Sequence, residues 1–243
     1  MRTDMNDITV KILHKSSTTS TNDDAFALAE KGIVNVVTAD RQTGARGRFS
    51  RSFSAEEGGV YLSLCFEADK DFSRNLLLTP LAAVCVCRAI GEETGVSPRI
   101  KWCNDVLADG KKVCGILCEM REKSGIPFVT VGVGLNANNP LPKDLPDAAS
   151  LADITGRDIN VSSLRERIAD NILAVLRSDD AARKSMMREY KSLCVNIGKR
   201  VTATVNGRRT EGLCTDITGT GALVLVTDDG KTTEVFSGEA TLR

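Results

Sequence analysis

The sequence predicts an α+β protein, a mixed β-sheet packed by helices and followed by a small C-terminal β-barrel. Three observations carry this reading. Short β-type runs at 8–14, 33–39, 60–66 and 128–136 are interleaved with stretches of helical spacing. From about Leu193 the helical spacing stops, and short strands follow with turn pairs at Asn206-Gly207, Thr218-Gly219 and Asp229-Gly230. A chain of 243 residues is also long enough for one sizeable core plus a satellite. The division is expected near residue 192, giving domains at 1–192 and 193–243.

In chain order, residues 8–14 form the first expected strand, which His14 ends. Thr21-Asn22-Asp23-Asp24 then open a helix to about Lys31, because they supply cap-type side chains and acids in the first turn. Gly32 stops it. A strand at 33–39 leads into a loop, and a second strand runs from Val60 to Phe66. Leu76 to Glu93 is apolar nearly all round apart from Arg88, the mark of a buried helix rather than an amphipathic surface one.

Residues 101–107 and 111–119 read as two strands that carry charge where a core would be expected. Asp109-Gly110 between them is the strongest short-range signal for a two-residue hairpin. In that hairpin Leu107 faces Lys112 and Asp105 faces Cys114. Period-2 alternation then sets Asp105, Lys112 and Lys101 on one face. Asp105 and Lys112 become diagonal neighbours about 7–8 Å apart. Such a carboxylate–ammonium pair suits a metal–phosphate ligand; a solvated salt bridge is the simpler alternative.

Farther along, Val129, Val131, Val133 and Leu135 share one strand face, and Gly132, Gly134 and Asn136 share the other. Paired glycines leave a hollow that suits a ligand or another backbone, or else a packed helix. Pro140, Pro142 and Pro146 mark a loop. Leu164, Ile168, Ile172, Leu173, Val175 and Leu176 then form a last amphipathic helix.

A second feature joins the hairpin. Arg41, Arg46, Arg48 and Arg51 surround Gly44 and Gly47, with no acid between Asp40 and Glu56. Guanidinium forks and glycine-exposed backbone N–H groups suit a polyphosphate. The alternative is a mobile basic surface loop.

Composition narrows the classes. Hydrophobic residues make up 42% and charged residues 26%, net charge is zero, and no apolar run nears the roughly 18 residues of a membrane span. Neutrality without a basic face argues against a nucleic-acid partner. No secretory signal opens the chain, and too few residues precede the first strand for a DNA-binding helix-turn-helix, so a cytoplasmic protein without that module is expected. The eight cysteines form no Cys-x-x-Cys pair and His14 is the only histidine, a poor supply for zinc. They read as reduced, mostly buried thiols.

Taken together, Ser20-Thr21-Asn22, the Arg/Gly loop, Lys101-Trp102-Cys103-Asn104-Asp105 with its Lys112-to-Leu117 return, Gly132-Val133-Gly134-Leu135-Asn136, and the closing Gly221-Ala222-Leu223 and Gly238-to-Arg243 segments resemble the biotin protein ligases. The resemblance runs from about residue 10 to the end. It implies a catalytic domain like that of the class II synthetases and an SH3-like C-terminal barrel. It also implies a two-step reaction: biotin carboxylate attacks the ATP α-phosphate, and a lysine of a biotin carboxyl carrier protein then takes the biotinyl group.

By the same resemblance Lys112, Asp105 and Arg48 are catalytic, and Ser20, Thr21, Gln42, Arg46, Trp102, Lys112 and Gly115 bind biotin. Arg46, Arg48, Arg51, Phe53, Asn104 and Asn136 bind the nucleotide, with Phe53 lying against adenine. Mg²⁺ enters with ATP and meets Asp105 through water, unless Asp105 instead accepts the proton of the incoming amine. The sheet edge near 111–120 offers a surface for a homodimer or for the carrier.

The chain departs from the family pattern where the loop usually reads Gly-Arg-Gly-Arg-x-Gly-Arg-x-Trp. Ala45 and Ser50 replace glycines and Phe53 replaces tryptophan, while Cys103 replaces a proline in the hairpin motif. Lysines near Cys103 are expected to lower its pKa. The competing readings are a lipoate or octanoate transferase of the same fold and a non-catalytic carrier-binding or biotin-sensing protein that has lost adenylation.

Overall fold

The computed structural model of the chain describes residues 8–205 and 208–242. Seven strands form the main sheet: β1 (Thr9–Thr18), β2 (Ile33–Gln42), β3 (Val60–Glu67), β4 (Arg99–Lys101), β5 (Asp105–Ala108), β6 (Lys111–Lys123) and β7 (Ile126–Leu135). Their order is β1-β2-β3-β7-β6-β5-β4. The β1–β2 pair is parallel and the others are antiparallel, so the sheet is mixed, as expected. A parallel pair needs a crossover, and α1 (Thr21–Ala27) supplies it.

One face of the sheet is closed by α3 (Leu78–Thr94), preceded by the short α2 (Phe72–Leu76). Leu81, Ala83, Val84, Val86 and Ile90 of α3 are fully buried in one core cluster with Leu62, Leu64, Val131 and Ile116 of the strands. Arg88, the exception in that helix, pairs with Glu189 of α6 (Asp180–Leu193). The all-round apolar pattern therefore follows from a helix covered by the sheet on one side and by α5 (Val161–Arg177) and α6 on the other. A smaller cluster of Ala25, Val37, Cys65 and Phe128 seats α1 on the opposite face. That face carries the candidate site.

Several expected boundaries move. β1 continues four residues past His14 because Ser17 and Thr18 pair with Arg41 and Gln42 of an equally extended β2. The first helix ends at Ala27 rather than Lys31. Residues 101–107 are not one strand, since Trp102, Cys103 and Asn104 form a turn between β4 and β5, with a cis peptide at Trp102-Cys103. The helix at 161–177 is not the last, because α6 follows after Asp179 caps its first turn, and α4 (Leu151–Thr155) was not anticipated.

The C-terminal strands are β8 (Arg200–Val205), β9 (Arg208–Ile217), β10 (Leu223–Val226), β11 (Thr232–Val235) and β12 (Glu239–Leu242), in the order β11-β10-β9-β8-β12. Among the described residues β11 and β12 do not pair, so the expected barrel is an open five-stranded sheet. Gly230 turns with φ 78°, as Asp229-Gly230 predicts; the left-handed residue after Thr218 is Gly221 rather than Gly219. Asn206-Gly207 and Arg243 lie outside the described residues.

Candidate active site

The tight turn forms as predicted, with Asp109 and Gly110 both at positive φ and Leu107 opposite Lys112. The register then shifts between Val106 and Leu107, so Asp105 faces Gly115 and not Cys114. This bulge leaves the main expectation intact. Lys112 Nζ lies 2.7 Å from Asp105 Oδ1, and Lys101 sits directly across from Asp105 on β4. Gly115 lies beneath the pair; a Cβ there would be 3.5 Å from Lys112 Nζ.

These residues line a cavity of about 560 Å³. Its opposite wall is the Arg/Gly loop. The loop is tied at its base, where Thr43 and Gly44 N–H donate to the carbonyls of Thr18 and Thr19. It closes on itself through Gly47 N–H to Arg51 O and Phe53 N–H to Ala45 O. At its tip Arg48–Ser50 make a single 3₁₀-type turn, and Phe49 and Ser50 both adopt φ 56°. Ser50 stands where the family pattern has glycine, the residue that adopts this conformation without steric cost.

The arginines of the loop do different things. Arg48 Nη1 donates to Cys103 Sγ at 2.8 Å and lies 3.4 Å from Asn104 Oδ1, so it spans the cavity to the hairpin motif. Arg46 lines the cavity, but its fork is bidentate to Asp23 at 2.6 and 2.7 Å. Arg41 pairs with Glu56 and does not line the cavity. Arg51 does line it. The loop is cationic along the chain, and in space Arg41 and Arg46 are paired with carboxylates.

The polar end of the cavity gathers on α1. Ser20 Oγ caps the helix by accepting from Asp23 N–H. Thr21 donates both N–H, at 2.8 Å, and Oγ1, at 3.1 Å, to Gln42 Oε1. Buried Ser63 of β3 lies 2.8 Å from Thr21 Oγ1 and donates to Asn22 Oδ1 at 2.6 Å. Asn22 then donates to Glu119 Oε2 at 2.7 Å. Sequence reasoning passed over Ser63, although a hydroxyl in an otherwise apolar strand was its signal.

The hollow expected over Gly132 and Gly134 is filled. A Cβ on Gly132 would lie 2.1 Å from Asn22 Oδ1, and one on Gly134 would lie 2.8 Å from the Phe53 ring. The helix alternative therefore holds at Gly132, and an aromatic ring occupies Gly134. Phe53 makes an edge contact with Tyr61 and still lines the cavity. Asn136 also lines it, although its Oδ1 accepts from Asn139 Nδ2.

Residues 102–104 are held from several directions. Trp102 N–H donates to Asn196 Oδ1 at 2.7 Å, its indole N–H donates to Gly221 O at 2.9 Å, and Tyr190 of α6 donates to Cys103 O. Asn104 donates Nδ2 to Ile116 O, so its amide braces the hairpin. Trp102 is thus both cavity wall and link to the C-terminal sheet, whose Ala240 and Thr241 complete the lining. Burial pushes the Cys103 thiol up, against the opposing pull of Arg48. The expected depression of its pKa is incorrect, because desolvation outweighs the nearby positive charge.

Among the described residues no cluster of three His, Cys, Asp or Glu side chains can hold a metal. Three aspartates, Asp105, Asp144 and Asp147, line the cavity, and Asp105 is the one paired with Lys112. This donor set fits a mostly hydrated magnesium ion that arrives on phosphates and has few protein contacts. It does not fit an all-protein cage.

Comparison with known proteins gives the class first. Residues 11–136 match the profile of the biotin/lipoate A/B protein ligase family, and residues 197–243 match that of the biotin protein ligase C terminal domain. The bifunctional ligase/repressor BirA of Bacillus subtilis is 34% identical, covering 90% of this chain and 70% of that protein. The biotin--[acetyl-CoA-carboxylase] ligase of Mycobacterium tuberculosis is 31% identical, covering 92% and 86%. The structure of the biotin protein ligase from Aquifex aeolicus in complex with biotin and ATP superposes with a TM-score of 0.80 at 26% identity, covering 97% of this chain and 98% of that one. The chain belongs to the biotin protein ligase family.

Proposed function

We propose that this chain activates biotin with ATP to biotinyl-5'-AMP and transfers the biotinyl group to a lysine of a biotin carboxyl carrier protein or domain. A carboxylate oxygen of biotin bonds to the α-phosphorus as the bond to pyrophosphate breaks. The carrier amine then attacks the acyl carbon, AMP leaves, and one proton is lost from the amine.

The physical difficulty is an anionic nucleophile approaching a polyanion. Catalysis of this kind depends on fixed positive charge aimed at the reacting oxygens and on positioning. The observation that carries the reading is the Lys112–Asp105 pair on the cavity floor, facing Arg48 across the cavity. We assign Lys112 to the biotin carboxylate and α-phosphate, and Arg48 and Arg51 to the nucleotide phosphates. Asp105 turns Lys112 into place and then receives the amine proton. Asp105 would hold a magnesium ion, directly or through water, and that ion would supply neutralisation of phosphate charge.

Ser20, Thr21, Gln42 and Gly115, with the backbone of Arg46, form the slot for the neutral ureido ring, and Trp102 forms its wall. Phe53 and Asn136 lie on the nucleotide side. Residues 1–192 are taken as the catalytic domain and 193–243 as the accessory one. β5 pairs with β6 only as far as Gly115, so the outer edge of β6 beyond Leu117 bonds to no strand among the described residues. That edge is assigned to the carrier or to a second copy of the chain. All eight cysteines are free thiols, which suits a reducing cytoplasm. No helix among the described residues is long and apolar enough to cross a membrane.

The test is pyrophosphate release from purified protein supplied with biotin, ATP and magnesium. Lys112→Ala is expected to lower it about 10²–10³-fold, the range for loss of one charge-stabilising donor. Full activity in that variant removes the assignment.

A further inference from the structure

The Arg/Gly loop is held at two ends by different chemistry. Arg48 reaches the hairpin through a thiol and an amide, both neutral. Arg46 is held by a carboxylate fork at 2.6 and 2.7 Å, the geometry in which a guanidinium is most strongly directed. The strong attachment is therefore to α1, and the weak one spans the cavity.

Asp23 is the centre of the strong attachment. Arg121, on the outer part of β6, donates to the same carboxylate at 2.9 Å and to Asn22 O at 3.1 Å. Its guanidinium carbon lies over the Phe26 ring, 4.1 Å from the centroid. Glu119 completes the group, 3.6 Å from Arg46 Nη2 and hydrogen-bonded by Asn22. Two carboxylates and two guanidiniums balance, and the Asp23 carboxyl is held down to about 2, chiefly by its bond to Arg46. Isolated surface ion pairs contribute little to stability, whereas bidentate pairs within a network are the exception.

Position gives this network a consequence for the site. Asp23 lies in the same first turn as Thr21, and its N–H is the one that Ser20 caps. Arg46 lies in the loop segment that walls the slot. We propose that Asp23 is a positioning residue, fixing the Arg46 segment of the loop against the Ser20-Thr21 turn so that both walls of the biotin slot are set before substrate arrives. The Arg46 guanidinium is then an anchor, and phosphate contact falls to Arg48 and Arg51. This rests on the ligase reading only for the identity of the substrate. The loop clasp itself does not depend on it.

The experiment compares wild type with Asp23→Asn, Asp23→Glu and Arg46→Lys, which keeps the charge and loses the fork. Two quantities are read: the KM for biotin and for ATP in pyrophosphate release, and the rate of tryptic cutting between residues 43 and 53 in ligand-free protein. Asp23→Asn and Arg46→Lys are expected to raise the biotin KM by about tenfold, leave the ATP KM and kcat within about twofold, and speed the tryptic cut. Asp23→Glu is expected to recover most of both. Equal rises in the two KM values, or an unchanged biotin KM, overturn the proposal. Wild-type protein that releases no pyrophosphate would refute the ligase reading alone. The tryptic rate would then decide: faster cutting in both variants, reversed in Asp23→Glu, upholds the clasp, and an unchanged rate overturns it.

Discussion

Lys112 and Asp105 meet at 2.7 Å although neither stands opposite the other in the ladder. The bulge between Val106 and Leu107 sets Asp105 across from Gly115, and the missing side chain there leaves room for the Lys112 ammonium to swing over the strand. Bulges redirect side chains near active sites, and this one aims a charge pair at a cavity.

Arg48 is the contact between loop and hairpin, and its partners Cys103 and Asn104 are neutral, so a bound phosphate would compete well for it. Arg48→Ala is therefore expected to speed release of the adenylate more than it weakens biotin binding. Calorimetry of biotin and a chase of labelled adenylate check this; equal losses in both would contradict it.

Gly132 is required by Asn22. A methyl group there would stand 2.1 Å from Asn22 Oδ1, which Ser63 already holds in place. Gly132→Ala is expected to cost about 1–3 kcal/mol through overpacking and to raise the biotin KM. Thermal unfolding together with steady-state kinetics reads both effects.

Asp23 should shape the acid limb of stability. Its carboxyl titrates near 2 in the folded protein, well below the 3.8 of a free aspartate, because Arg46 and Arg121 hold it. A depressed acid adds stability that is complete above the unfolded pKa and is lost as pH falls towards 2. Asp23→Asn is expected to flatten urea-unfolding stability between about pH 4 and pH 2 relative to wild type, with no change in its pH dependence above pH 6.

Cys103 should be slow to alkylate at neutral pH. Its thiol is raised by burial despite Arg48 at 2.8 Å, and only the thiolate reacts. Mass spectrometry after brief iodoacetamide treatment at pH 7.5 is expected to find it unmodified in the folded protein; rapid labelling would show that the positive charge prevails.

The charged hairpin was legible because a two-residue turn fixes register over a few residues, and Asp109-Gly110 is such a turn. The bulge was not, since it depends on β7 and on the turn at 102–104. The apolar helix ending near Thr94 was plain, being covered on both sides. By contrast α6 was missed, although Arg183, Met186, Met187 and Tyr190 recur at helical spacing, because charged neighbours mask so short a stripe. The open C-terminal sheet could not be told from a barrel, since closure depends on which edges meet.

Local order along the chain determined the turn, the capped first helix, the glycine face of β7 and the run of arginines, because each rests on steric or hydrogen-bonding rules that act within a few residues. Only the tertiary structure decided where the charge of those arginines goes. Asp23 and Glu119 reach Arg46 from 23 and 73 positions away along the chain, and electrostatic neutralisation depends on distance in space, which a sequence does not display.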